Sequence, residues 1–269
     1  MATGGVSVII RARDEAAALT RCLSSLEGQR GLDEPAELIV VDGGSRDGTV
    51  AVARRHGARI IAVAPGPYSF GGALNLGAAE AHGAVLVALS AHALPPDESW
   101  LARLSAPLAA DPRVACACGD AYGPDGEPLT VPIDQDEALA RRRPEWGYSN
   151  AAGGFRAELW RERGFRADLG ACEDKEWALH WLARGYVCHV DPSLRVAHDH
   201  THDPLRAIYR RAHREAAAYA DFLGPCRSTG AALLREWWSD RRWYDSAARA
   251  RLSPRRTARL LGAHAGRRA

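Results

Sequence analysis

The chain has 269 residues, 46% of them hydrophobic and 25% charged, enough to bury a substantial core as one large domain or as one domain with an appendage. The formal net charge of +2 gives no global case for nucleic acid, and no apolar run approaches the ~18 residues of a membrane-spanning helix. Six scattered cysteines with no C-x-x-C pair suggest neither a zinc ribbon nor a disulfide framework; they point to a reducing, cytoplasmic compartment, and MATGGVSVII lacks the basic start of a signal peptide.

Val6 to Ile10 has the composition of a buried strand. The turn R-A-R-D-E follows, then a helix over Glu15 to Leu26, with Leu19, Leu23 and Leu26 on one face and Asp14 at its N-cap. That first turn has no glycine, which argues against the G-x-G-x-x-G of a dinucleotide-binding fold. Leu38 to Val41 is a second strand and ends on Asp42. Gly43, Gly44, Ser45, Arg46, Asp47 and Gly48 make a polar turn, and Thr49 to His56 is helical, closed by Gly57. Ser45 or Asp47 can cap that helix. In an open parallel sheet ligands bind beyond the carboxyl ends of strands, where Asp42 stands.

The run V-D-G-G-S-R-D-G-T resembles the V-D-x-G-S-x-D-G-T signature of family 2 glycosyltransferases. The resemblance implies a GT-A fold: a Rossmann-like, mostly parallel α/β sheet flanked by helices, here followed by C-terminal helices. It also implies transfer of a hexosyl or deoxyhexosyl group, with inversion, from a nucleotide-sugar (UDP- or dTDP-linked) to an acceptor hydroxyl. Asp42 then binds base or ribose, with Arg11, Arg13 and Glu15 lining the nucleotide pocket.

Arg59 to Val63 reads as a third strand, Ala64 to Gly72 as a Pro- and Gly-rich loop bearing Tyr68 and Phe70, and Ala73 to His82 as a helix. Ala84 to Leu89 is the fourth strand and ends in Ser90-Ala91-His92. The family usually carries D-x-D there, whose carboxylates hold Mg²⁺ or Mn²⁺ against the diphosphate. With S-A-H, two arrangements stay open: His92 and His198 share Mn²⁺ or a similar ion with the diphosphate, or arginine and histidine donors meet the leaving group without metal. In either, Ser90 and His92 belong to the nucleotide site.

Asp97 to Ala109 is a helix, Arg113 to Ala121 a strand with Cys116 and Cys118 on one face, and Asp134 to Arg143 a polar helix. Glu145 to Phe155 is a glycine-rich loop or short strand; by resemblance Trp146, Tyr148 and Asn150 line the donor sugar or acceptor, although the two aromatics can equally be packing residues. Arg156 to Gly164 is a short helix. Glu173 and Asp174 precede a helix over Lys175 to Arg184, and in the family the Asp of this E-D pair is the general base, which assigns the role to Asp174 and places Glu173 beside sugar or acceptor. Val187 to Val190 and Leu194 to Ala197 are short strands, and His198 to His202 is a histidine-rich loop that closes the domain or returns a ligand to the metal.

From Pro204 the composition changes to arginine-rich, aromatic helices, Leu205 to Leu223 and Ala231 to Arg242, with a basic end expected to fray. They cap the acceptor side or lie peripherally on an anionic membrane, the first being favoured. The division expected is 1–125, the nucleotide-sugar-binding half; 126–202, the donor-sugar and acceptor half; and 203–269, a helical extension. Two rivals stand beside this reading. A non-catalytic nucleotide-sugar-binding protein is favoured by S-A-H and opposed by E-D; a nucleotidyltransferase lacks its glycine-rich triphosphate loop here.

Overall fold

A computed structural model describes residues 4–66, 68–198, 203–225, 228–239 and 247–267. It separates into two compact units, one of residues up to 168 with 173–199, the other of 169–172 with the C-terminal segment.

The first unit is built on one eight-stranded sheet. Its strands are β1 (Val6–Ala12), β2 (Glu37–Asp42), β3 (Arg59–Ala62), β4 (Val85–Ser90), β5 (Val114–Cys118), β6 (Ile133–Gln135), β7 (Ala152–Arg156) and β8 (Val187–Val190), in the spatial order β3-β2-β1-β4-β7-β5-β8-β6. β1 pairs in parallel with both β2 and β4, β3 with β2, and β5 with β8; β7 and β6 run the other way. The helices are α1 (Ala16–Glu27), α2 (Thr49–Arg55), α3 (Phe70–Ala79), α4 (Trp100–Ala110), α5 (Glu137–Arg142), α6 (Ala157–Glu162) and α7 (Glu173–Leu182).

Alternation along buried strands sorts the core into two layers. Ile9, Ile39, Val41 and Leu86 face Leu74 of α3 and Trp177 and Trp181 of α7. Val8, Ile10, Val40, Val87 and Leu89 face Leu19 and Leu23 of α1 and Trp100 and Leu104 of α4. The parallel sheet covered by helices on both faces is the α/β architecture anticipated from the sequence.

Of the two readings open for residues 145–155, the strand holds over Ala152–Arg156 as the central β7, because Gly153 and Gly154 let neighbours come close: a Cβ on Gly153 would lie 2.5 Å from Ser149 O, and one on Gly154 3.1 Å from Leu108. Several other local expectations are corrected. Residues 134–143 are not one helix but the edge strand β6 followed by α5, whose N-cap Asp136 accepts from Leu139 N. Leu194 to Ala197 is a 3-10 turn (Pro192–Leu194) and then a single bridge from Ala197 to Leu94. Helix α3 begins three residues early, at Phe70, because Ser69 Oγ accepts from Gly72 N.

In the second unit the helices are α8 (Leu205–Leu223), α9 (Gly230–Ser239), α10 (Ala247–Leu252) and α11 (Pro254–Gly266). The basic end does not fray. Ser253 caps α11 by accepting from Arg256 N, and Gly262 and Gly266 bring α11 against the Tyr209 and His213 carbonyls of α8. The buried Arg256 guanidinium donates to the carbonyls of Glu236 and Trp237, orphan acceptors near the end of α9. Among the described residues no helix is long and apolar enough to cross a membrane.

Candidate active site

The carboxyl ends of β1, β2 and β4 meet along one edge, because the three strands are parallel neighbours in register. Asp42 closes β2. It is buried, and its carboxylate accepts from the backbone N–H groups of Gly44 (3.2 Å) and Ser45 (3.2 and 3.3 Å). Gly44 has φ 85°, which lets the chain fold back over that carboxylate.

The rest of the turn fastens helix α1. Ser45 Oγ accepts from Asp14 N, Thr49 Oγ1 from Glu15 N, and Asp47 Oδ2 from Ala16 N, while Asp14 Oδ1 accepts from Arg46 N. Asp14, at φ 54°, is therefore not the N-cap of α1, and no cap side-chain bond comes from Glu15 either. The two amides leading into α1, of Asp14 and Glu15, and the first one within it, of Ala16, are satisfied across space by the signature turn. Asp47 does also accept from Thr49 N at the start of α2.

Arg11 and Arg13 diverge. Arg11 Nη1 lies 3.3 Å from Glu173 Oε1 and its guanidinium lies 5.1 Å from the Phe70 ring centroid. Arg13 is exposed; its aliphatic stem and Tyr68 flank Gly43, where a Cβ would meet each at 3.4–3.5 Å. Tyr68 and Phe70 pack edge to face, at 5.3 Å between centroids. The loop after β3 thus brings its two aromatics to the ends of β1 and β2.

At the end of β4, His92 Nδ1 lies 2.9 Å from Glu15 Oε1 and 3.2 Å from Ser90 Oγ. An ionised carboxylate only accepts, so Nδ1 carries the proton of the Glu15 contact. His198 stacks on His92 with centroids 4.6 Å apart and planes 9° from parallel. Four residues singled out in the sequence, Glu15, Ser90, His92 and His198, are therefore neighbours. A metal held between the two imidazoles does not fit this arrangement. Ring-nitrogen lone pairs lie in the ring plane, and two stacked parallel planes do not aim at one ion. Among the described residues no group of three His, Cys, Asp or Glu side chains is placed to hold a metal. Asp199, His200, Thr201 and His202 of the histidine-rich loop lie outside the described residues.

Glu173 and Asp174 form the first turn of α7 rather than preceding it. Asp174 Oδ2 accepts from Asn150 N at 3.1 Å and Oδ1 from Lys175 N at 2.8 Å. Glu173 is buried; Asn150 Nδ2 donates to it at 3.3 Å. Burial, then the neighbouring Asp174 charge, pushes the Glu173 carboxyl upward, and Arg11 opposes both. Asn150 is itself buried and its Oδ1 has no hydrogen-bond partner. Lys175, the only lysine, donates to Gly147 O at 3.1 Å and so holds the loop that carries Asn150.

Trp146 and Tyr148 are packing residues and offer no face to a sugar. Trp146 is buried and donates from Nε1 to Tyr122 O; Tyr148 is fully buried against Phe155 and Trp177. The Arg11–Glu173 pair and the capping role of Ser45, Asp47 and Thr49 were not visible in the sequence, since each joins residues at least 31 positions apart.

The chain belongs to glycosyl transferase family 2, whose model matches residues 7–164. Solved structures share the fold. A mannosyltransferase from Pyrobaculum calidifontis, in complex with GDP-Man and Mn²⁺, is 21% identical with a TM-score of 0.69, over 96% of this chain and 84% of that one. Glucosyl-3-phosphoglycerate synthase from Mycobacterium tuberculosis is 22% identical with a TM-score of 0.63, over 82% of this chain and 81% of that one. The same synthase has been solved with Mn²⁺, UDP-glucose and phosphoglyceric acid, at 20% identity, a TM-score of 0.63, and 82% and 80% coverage. Comparison with curated proteins finds no match.

Proposed function

We propose that this glycosyltransferase moves a hexosyl or deoxyhexosyl group from a nucleoside-diphosphate donor to an acceptor hydroxyl in one displacement, with inversion, and that Asp174 is the base. The observation that carries the reading is the setting of Asp174. Two backbone N–H groups fix its carboxylate at the start of α7, one per oxygen. Its remaining lone pairs are left to take the acceptor proton as the acceptor oxygen attacks the anomeric carbon. The new C–O bond forms as the bond to the diphosphate breaks, and the bonding pair leaves with the diphosphate.

The donor is proposed to be UDP- or dTDP-linked. The fold neighbours supply the general case: they are solved with GDP-Man, UDP and UDP-glucose, with Mn²⁺ or Mg²⁺. Here histidine replaces the hard carboxylate, and the stacked His92 and His198 rings do not converge on one ion. We assign leaving-group charge to the exposed Arg13 and to His92, oriented by Glu15. Asp42 and the Tyr68 ring beside Gly43 are assigned to the nucleoside. Asn150 Oδ1, buried and unpartnered, is assigned to a hydroxyl of donor or acceptor.

A thermal-shift panel of UDP-, dTDP- and GDP-linked sugars, in EDTA and in Mn²⁺, tests the donor site. The expected result is stabilisation by one nucleotide class in both buffers. Product NMR should then give an anomeric configuration opposite to the donor's. Stabilisation without any transfer would favour a non-catalytic binding protein. Loss of nucleotide binding in EDTA, restored by Mn²⁺, would mean that the stacked imidazoles re-orient around an ion.

A further inference from the structure

None of the residues assigned above to transfer lies in the second unit, and that unit's charge is out of proportion to the rest. Residues 203–269 carry 15 arginines against 6 carboxylates, a net of +9, whereas residues 1–202 carry a net of −7. The near-neutral total conceals a segregation of charge along the chain.

Large apolar side chains are also exposed within that unit. Leu234 and Trp238, one helical turn apart on α9, are 67% and 60% exposed, and Leu252, which ends α10, is 82% exposed. They belong to one surface: the Arg251 guanidinium lies 3.5 Å from the Trp238 ring centroid, which places the end of α10 beside α9. Arg235 and Arg249 are exposed on the same two helices. Folding has buried Arg256 and Ala250 from this segment while leaving two leucines and a tryptophan in water, and an apolar patch rimmed by arginine marks an interaction site.

We propose that the face formed by α9 and α10 docks the protein on an anionic phospholipid surface. The chemistry selects this occupant. Arginine answers phosphate headgroups, and Trp and Leu at the same level enter the acyl boundary, an arrangement typical of helices that lie in the interface. A nucleic acid would satisfy the arginines without needing exposed leucines. The Arg251 guanidinium lies against the Trp238 ring and donates to Trp238 O, which holds the ring in place. The sequence alone favoured a capping role for these helices; the exposure of Leu234, Trp238 and Leu252 argues for lipid. The inference stands apart from the identity of donor and acceptor.

The test uses the full-length protein in co-sedimentation with vesicles of phosphatidylcholine alone and of phosphatidylcholine with one third phosphatidylglycerol. Binding is expected only to the anionic vesicles. It should weaken at least about tenfold between low salt and ~0.5 M, because the Debye length shrinks to a few ångströms. The triple variant Leu234→Glu, Trp238→Glu and Leu252→Glu should lose it, and Arg235→Glu with Arg249→Glu should weaken it. Circular dichroism and nucleotide affinity, both expected unchanged, separate lost docking from lost folding. Absence of binding to anionic vesicles, or full binding by a folded triple variant, would overturn the proposal. So would salt-sensitive binding to oligonucleotides without vesicle binding, or a concentration-dependent dimer abolished by the triple variant, which would make the occupant a second copy.

Discussion

The turn from Asp42 to Thr49 and the first turn of α7 are both acidic and both serve the edge where the parallel strands end, yet their polar groups are used in opposite ways. In the first, Ser45, Thr49 and Asp47 bond the amides of Asp14, Glu15 and Ala16 where the chain enters α1, and Asp42 accepts from the amides of its own turn. In the second, Glu173 is buried between Arg11 and Asn150, Asn150 Oδ1 has no partner, and Asp174 keeps lone pairs beyond its two amide bonds. A motif whose side chains satisfy its own framework builds the edge; one that leaves a buried acceptor unmatched is where a ligand completes the structure. By this criterion much of the family signature is scaffold, and α7 is where the proposed chemistry gathers.

The strongest way to break this contrast is Asp174→Asn. We expect kcat to fall on the order of 10²-fold or more, as for loss of a general base, with donor affinity nearly intact; single-turnover rates and calorimetry report the two separately. A near-normal rate would remove Asp174 from the chemistry and, with it, the contrast.

Asp42→Ala probes the other side. Loss of a charged hydrogen-bonding partner removes roughly 1.5–3 kcal/mol, about tenfold to a hundredfold in nucleoside-diphosphate affinity. Because the same carboxylate holds the Gly44 and Ser45 amides, Tm should fall as well. A fall in Tm with unchanged affinity, measured by calorimetry, would make Asp42 scaffold like its neighbours.

Arg11→Ala sharpens the contrast further. Arg11 touches Glu173, which touches Asn150, whose N–H holds Asp174. As a positioning residue, Arg11 should lower kcat about tenfold with little change in donor KM, since a small displacement of a base is costly. Arg11→Lys should recover part of the loss. A rise in KM at constant kcat would return Arg11 to the nucleotide pocket where the sequence placed it.

The smallest effect belongs to Asp47→Ala. Losing a cap on α1 should lower the urea midpoint slightly, while kcat per folded molecule is unchanged. A drop in kcat would give the turn a part in the chemistry.

What was legible in the chain follows from the range of the forces involved. Hydrophobic runs and glycine ends are local, so β1, β2, β4 and α8 were placed closely and the sheet class with them. Asp174 and the cluster of Glu15, Ser90 and His92 were reachable because a motif carries position as well as composition. The central setting of β7 was not, since Gly153 and Gly154 read equally as loop or short strand until Leu104 and Leu108 stand above them. Trp146 and Tyr148 were ambiguous for the same reason: an aromatic ring serves core or sugar, and only its neighbours decide. Capping of α1 by Ser45 and Asp47 needed the fold itself.

The position of β7 has a consequence for how the protein is made. β7 lies between β4 and β5 in the sheet, yet it is synthesised after both, and the other partner of β5, β8, comes later still. Strand β5 therefore emerges from the ribosome with neither neighbour available. Until residues 152–156 arrive, the Val85–Ser90 strand is an open edge, apolar over Val85 to Leu89, the kind that pairs with other chains. A fragment ending near residue 125 would carry the whole signature motif and still aggregate. The slow step of folding should be insertion of the Gly153-Gly154 strand, a long-range closure that joins early and late sequence into one sheet.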